Sequence, residues 1–121
     1  MGLVLRIEKR RLGLSAKAVF EAAESGNATV YIPTLTFAEI LYLSEKQRIG
    51  ISLNDVADYL RQHLNYKEYP LSMAVVQAAA QITDIRKLRD RLIAGTAHLL
   101  GLDLITNDSV IQASAFVKTV W

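Results

Sequence analysis

The stretch RDRLIAGTAHLLGLDLITND, from Arg89 to Asp108, places a helix, a glycine stop and a short apolar strand in succession, with an acid near each end. LRDRLIAGTAHLL is rich in good helix formers and closes on Gly101, the residue type that most readily takes the left-handed turn after a helix. LDLIT behind it is short and apolar, as a buried strand requires. A helix feeding a strand in this way is the repeating unit of a parallel sheet, so the question is whether the rest of the chain repeats it.

It does. SAKAVFEAAESG predicts a helix from Ser15 to a stop at Gly26, and ATVYIP a β-branched strand ended by Pro33. TFAEILYLSEKQRIG predicts a helix with Thr36 and Glu39 in capping-box register and Gly50 as its stop. SLNDVADYLRQHL has Ser52 and Asp55 in the same register, with Val56, Leu60 and Leu64 on one helical face. YKEYP reads as a short strand, SMAVVQAAAQI as a helix from Ser72, DSVIQASA as a short helix and FVKTV as a last strand. Parallel strands need crossover connections, so the alternation implies one α/β domain over residues 1–121, a three-layer α/β/α sandwich around a central parallel sheet.

Composition agrees with one domain: 121 residues, 51% of them hydrophobic, are enough to bury a core. No apolar run approaches the roughly 20 residues of a membrane-spanning helix, and the basic N-terminus lacks the apolar segment of a secretory signal. The absence of cysteine excludes disulfides and thiolate metal sites and is compatible with the cytoplasm. A net charge of +2 does not by itself imply nucleic-acid binding. Basic residues cluster locally, in EKRR (Glu8–Arg11) and RKLRDR (Arg86–Arg91), where a solvated face is the simpler explanation.

In open parallel sheets, sites form beyond the carboxyl ends of the strands. Three acids fall there: Glu39 one turn into the helix after ATVYIP, Asp90 opening the helix before LDLIT, and Asp108 closing LDLITND. Converging carboxylates suit a hard divalent cation such as Mg²⁺. Each acid also has a structural role open to it: Glu39 completing a cap, Asp90 complementing a helix dipole, Asp108 capping the next helix. His63 and His98 lie too far apart in sequence for a short-spaced ligand pair and read as core or surface residues. No nucleophile triad, Walker loop or dinucleotide glycine fingerprint is present.

TLTFAEILYLSEKQRI, RDRLIAGTAHLLGLDLITNDSVI and FVKTVW together resemble the PIN-domain nucleases, and within them the VapC-type toxins of prokaryotic toxin–antitoxin pairs, over about Ser15 to Trp121. The resemblance implies a Mg²⁺- or Mn²⁺-dependent endoribonuclease. Glu39 and Asp90 would bind the principal metal and Asp108 a second metal or its water, which such an ion activates while offsetting charge on the phosphate. Thr106 matches the family's hydroxyl beside the last acid, with a satisfied turn residue as the equal alternative. Arg89 and Arg91 are candidates for RNA phosphate contacts, against an exposed helix flank. The resemblance further implies a cytoplasmic homodimer held by an antitoxin, with FAEILYL and NDVADYLRQHL as surfaces that either meet this partner or pack into the core.

One departure stands out. The family opens with an apolar strand ending in a metal-binding Asp, and this chain has no Asp before Asp55. LVLRIEKRRLG matches the family's first helix and loop, so the first strand is expected to be absent or replaced. Either a start further upstream restores it, or the short form is genuine and GLVLRI serves as a substitute edge strand with Glu8 as the nearby acid. Loss of a central strand exposes backbone groups, which favours dimerisation or segment exchange, and loss of a carboxylate predicts reduced or absent nuclease activity. A catalytically dead PIN fold that dimerises or binds an antitoxin is the alternative.

Overall fold

The strands pair in parallel twos, and a cleft separates the pairs. In the computed structural model, which describes residues 1–121, β1 (Val30–Pro33) pairs with β2 (Tyr66–Tyr69), and β3 (Leu104–Ile105) with β4 (Thr119–Val120). The helices are α1 (Gly2–Ile7), α2 (Leu14–Glu24), α3 (Thr34–Glu45), α4 (Leu53–Gln62), α5 (Met73–Ala80), α6 (Leu88–Leu100) and α7 (Ser109–Gln112). The α/β alternation with parallel pairing is therefore present, but the sheet expected to be continuous is two separate pairs.

The register shows which backbone groups face the cleft. Val30 donates to the Asn65 carbonyl at 2.9 Å, so Val30 and Ile32 turn toward β2 and Tyr31 between them turns away. Leu104 donates to Lys118 and Thr106 to Val120, so Ile105 between them likewise turns from β4. The core is split in the same way. Leu3, Val4, Phe20, Ile32, Ile40, Val56 and Tyr66 form one cluster with Ile105 against it, while Ile82, Ile85, Ala94 and Ile111 form another with Leu104 against it.

GLVLRI is a helix, in line with the match of LVLRIEKRRLG to the family's first helix, which corrects the alternative of a substitute edge strand. Leu and Arg favour the helix, and burial of Leu3 and Val4 beside Phe20 fixes it. Glu8 is turned away from the cleft, accepting from the Gly50 amide at 2.8 Å. α3 begins at Thr34, two residues before the expected cap, with no side-chain cap at its start. The Thr34 hydroxyl donates instead to Glu68 Oε2 at 2.7 Å, so contact with β2 replaces the box that Thr36 and Glu39 would have made. The Ser52–Asp55 capping box of α4 and the Ser72 cap of α5 are as the spacing predicts. α6 ends on Gly101 at φ 65°, with Leu102 donating to the Ala97 carbonyl, the left-handed closure its glycine suggested.

Candidate functional site

A cleft of about 520 Å³ runs between β1 and β3, and Glu39, Asp90 and Asp108 all line it. Each reaches it by a different local device. β1 ends at Pro33 and passes straight into α3, which sets Glu39 one turn in, its side chain only 20% exposed. Arg89 Nε stands 3.6 Å from Glu39 Oε2, tying α3 to the first turn of α6 and bringing Glu39 toward Asp90. Asp90 lies in that first turn, half-buried, where the helix dipole favours a carboxylate.

Asp108 follows β3 and caps α7. Its Oδ1 accepts from the amides of Val110 at 2.9 Å and Ile111 at 3.2 Å, while its own amide donates to Thr106 Oγ1 at 3.0 Å. The cap uses Oδ1 alone and leaves Oδ2 for the cleft, so the capping and ligand readings of this residue coexist. Thr106 holds the turn that presents Asp108, and its carbonyl accepts from Gln112.

Three carboxylates on one cleft supply the hard oxygen donors that Mg²⁺ or Mn²⁺ prefers. In chemical type the donor set fits such an ion. In spacing it is open: no three Asp, Glu or His side chains stand close enough to grip one ion together.

The two arginines beside Asp90 part company. Arg89 is half exposed next to Glu39, whereas Arg91 turns inward, its Nη2 donating to the Ala79 carbonyl at 3.1 Å and its Nε buried without a partner. His98 bridges Phe116 and Gln81, and His63 packs tilted against Tyr59 with ring centres 4.3 Å apart, so both histidines have structural partners.

Two features are not legible in the sequence. Asp103, before β3, is a fourth acid on the cleft; it precedes a strand, whereas the rule for parallel sheets points behind strands. Glu24 at the end of α2 anchors a polar cluster, accepting two 2.8 Å hydrogen bonds from Arg6, one from Tyr59 at 2.8 Å and one from Tyr66 at 2.5 Å. The Arg6 hydrogen bonds, working against burial, hold the Glu24 carboxyl at about 2, and burial with the Glu24 contact pushes the Tyr66 phenol upward. No spacing rule links residues 6, 24, 59 and 66; only the packing of α1, α2, α4 and β2 does.

No helix is long and apolar enough to cross a membrane. On α3, Ile40 is fully buried while Leu41 and Tyr42 are 43% and 49% exposed, so FAEILYL serves the core with one face and offers the other.

Comparison with known proteins places these features in a family. No curated protein matches the chain. The fold is similar to the crystal structure of VapBC2 from Rickettsia felis bound to a DNA fragment from their promoter, at TM-score 0.72 and 18% identity, covering 98% of this chain and 92% of that one. The family model described as "PIN domain" matches residues 4–117, nearly the whole chain and the segments that carry Glu39, Asp90 and Asp108. The chain therefore belongs to the PIN domain family.

Proposed function

We propose that this protein is the toxin of a toxin–antitoxin pair and hydrolyses RNA phosphodiesters with Mg²⁺ or Mn²⁺. The observation that carries the reading is the presence of Glu39, Asp90 and Asp108 on one cleft, beyond strand carboxyl ends, in a PIN fold. A divalent ion bound there supplies Lewis acidity toward the phosphate and makes water a better nucleophile. Glu39 and Asp90 would hold the principal ion, and Asp108 would act through its free Oδ2. Thr106 keeps Asp108 oriented by accepting its amide hydrogen. Arg89 is the better placed of the two arginines for an RNA phosphate, because Arg91 is committed to Ala79.

The fold also bears on the partner. The similar structure is a VapBC complex, which supports an antitoxin as the binding partner here, seated over the exposed Leu41 and Tyr42 of α3. A cytoplasmic homodimer is the matching quaternary state. The open spacing of the carboxylates favours a second reading, a PIN fold that binds its partner without cleaving RNA.

The experiment is cleavage of end-labelled RNA by the purified chain, with and without Mn²⁺, beside Glu39→Gln, Asp90→Asn and Asp108→Asn. The nuclease reading expects weak, metal-dependent cleavage that falls by about 100-fold in each variant. Absence of cleavage together with absence of Mn²⁺ binding by calorimetry would establish the binding module instead.

A further inference from the structure

α3 carries more than Glu39 on its outer side. Tyr42 and Lys46 follow Glu39 at helical spacings, so the three form one stripe along the element. Ile40 faces the core, Tyr42 is left half exposed, and Lys46 Nζ stands 5.8 Å from the centre of the Tyr42 ring. An acid on the cleft is thus followed by an exposed aromatic ring and then by a cation.

The stripe ends on a basic surface built from two turns. α1 and α3 both close on a residue with positive φ, Lys9 at 57° and Gln47 at 55°. The amides of the next residues, Arg10 and Arg48, donate back to the Leu5 and Leu43 carbonyls at 2.8 and 2.9 Å, so both ends make the same tight closure. Glu8 joins the turns: its Oε2 accepts from the Gly50 amide at 2.8 Å, and its Oε1 lies 3.4 Å from Arg10 Nη1. Lys9, Arg10, Arg11, Lys46 and Arg48 are all exposed there, and Arg10 alone of them pairs with a carboxylate. The acids nearest in sequence do not neutralise them. Glu8 is engaged by Gly50 and Arg10, Asp55 is closed in its capping box, and only Glu45 stands open beside Lys46. One cation per helix end suffices to complement a macrodipole, and five exceed that need.

We infer that single-stranded RNA leaves the cleft along this side of α3, with one base stacked on Tyr42 and the following phosphates held by Lys46 and the two joined turns. From Glu39 to Lys46 the helix rises about 10 Å, roughly three nucleotides of a strand whose phosphates advance about 3.4 Å each. An aromatic ring among cations binds a single strand without reading its sequence, because any base can stack and the cations follow the backbone. The inference takes its ligand from the proposed function and deepens it, asking for binding and not for cleavage. A partner seated over Leu41 and Tyr42 would then block the RNA track directly.

The test is fluorescence anisotropy of a fluorescein-labelled uridine dodecamer with the purified chain in EDTA, repeated between about 50 and about 200 mM KCl. Tyr42→Ala is expected to weaken binding about tenfold at each salt concentration, and Tyr42→Phe to leave it unchanged. Arg10→Gln combined with Arg48→Gln should lower the slope of log affinity against log salt by about 1.4, whereas Lys118→Gln, beside β4, should leave slope and affinity as they are. Each of these side chains is exposed, so every variant is expected to fold. An unchanged affinity in Tyr42→Ala, or a loss in Lys118→Gln equal to that of the double variant, would overturn the proposal. So would binding of polyglutamate as tight as that of the RNA, because the surface would then serve an acidic peptide. Metal-dependent cleavage by variants whose RNA affinity is unchanged would refute this inference and leave the nuclease reading standing; Tyr42-dependent binding without cleavage would do the reverse.

Discussion

Glu24 is the side chain that ties α1, α2, α4 and β2 together. It accepts hydrogen bonds from Arg6, Tyr59 and Tyr66, so Glu24→Gln leaves a part-buried guanidinium without its counter-charge. We expect a loss of about 2–3 kcal/mol, read from urea unfolding followed by the emission of Trp121. Tyr66→Phe removes one donor and should cost about 1 kcal/mol in the same assay. The carboxyl sits at about 2 in the folded protein against an ordinary 4.5. A folded value below the unfolded one means the contribution is complete above pH 4.5 and is lost as pH falls toward about 2. Asp84 bends in the same direction, held below its ordinary value by the Ala115 amide and the Ser114 hydroxyl. Glu24→Gln should therefore flatten much of the acid arm of the stability profile, leaving the part that Asp84 supplies. At Gly95 the constraint is space: an added Cβ would lie 2.9 Å from the Cα, Cβ and N of Ala79. Gly95→Ala gains about 1 kcal/mol of helix propensity but forces apart a crossing that has no flexible atom to yield. A net loss of at least about 1 kcal/mol is expected, visible as a lower urea midpoint.

Among the elements, the helices divide by how they begin. α4 carries a complete capping box, with Asp55 N–H to Ser52 Oγ at 3.1 Å and Ser52 N–H to Asp55 Oδ2 at 2.8 Å. Ser52→Ala should cost about 1 kcal/mol and speed exchange of the Asp55 amide, while leaving α3 untouched. α3 has no such box, because Thr34 already finds β2 through Glu68. Glu39, released from capping, turns to Arg89 and the cleft. The order of elements was legible in the chain because glycine stops, caps and apolar periodicity are local. The start of α3 was not, since it is set by a residue 34 positions away.

At the scale of the molecule, two core clusters flank a cleft whose mouth gathers like charges. Three carboxylates facing one space repel one another, so a divalent ion bound among them should favour the folded state. Under the proposed function, Mn²⁺ at 100 times its dissociation constant adds about 2.7 kcal/mol of stability. Thermal unfolding should shift upward by several degrees, and Asp90→Asn should abolish the shift; an unchanged midpoint in the wild-type chain would count against the metal site.

The chain by itself determined the alternation of helices and strands, the parallel pairing, the positions of Glu39 and Asp108 behind strand ends and that of Asp90 at the start of a helix. Each rests on spacings of a few residues, where caps, glycine stops and β-branched runs act locally. Only the tertiary structure decided that GLVLRI folds as a helix, because burial of Leu3 and Val4 against Phe20 outweighs the strand reading. The same holds for Arg91, turned inward by the Ala79 carbonyl, and for Arg6, Glu24, Tyr59 and Tyr66, brought together from four elements. The division of the sheet is the clearest case. Whether two parallel pairs merge depends on what lies between them, and no local pattern in either pair carries that information.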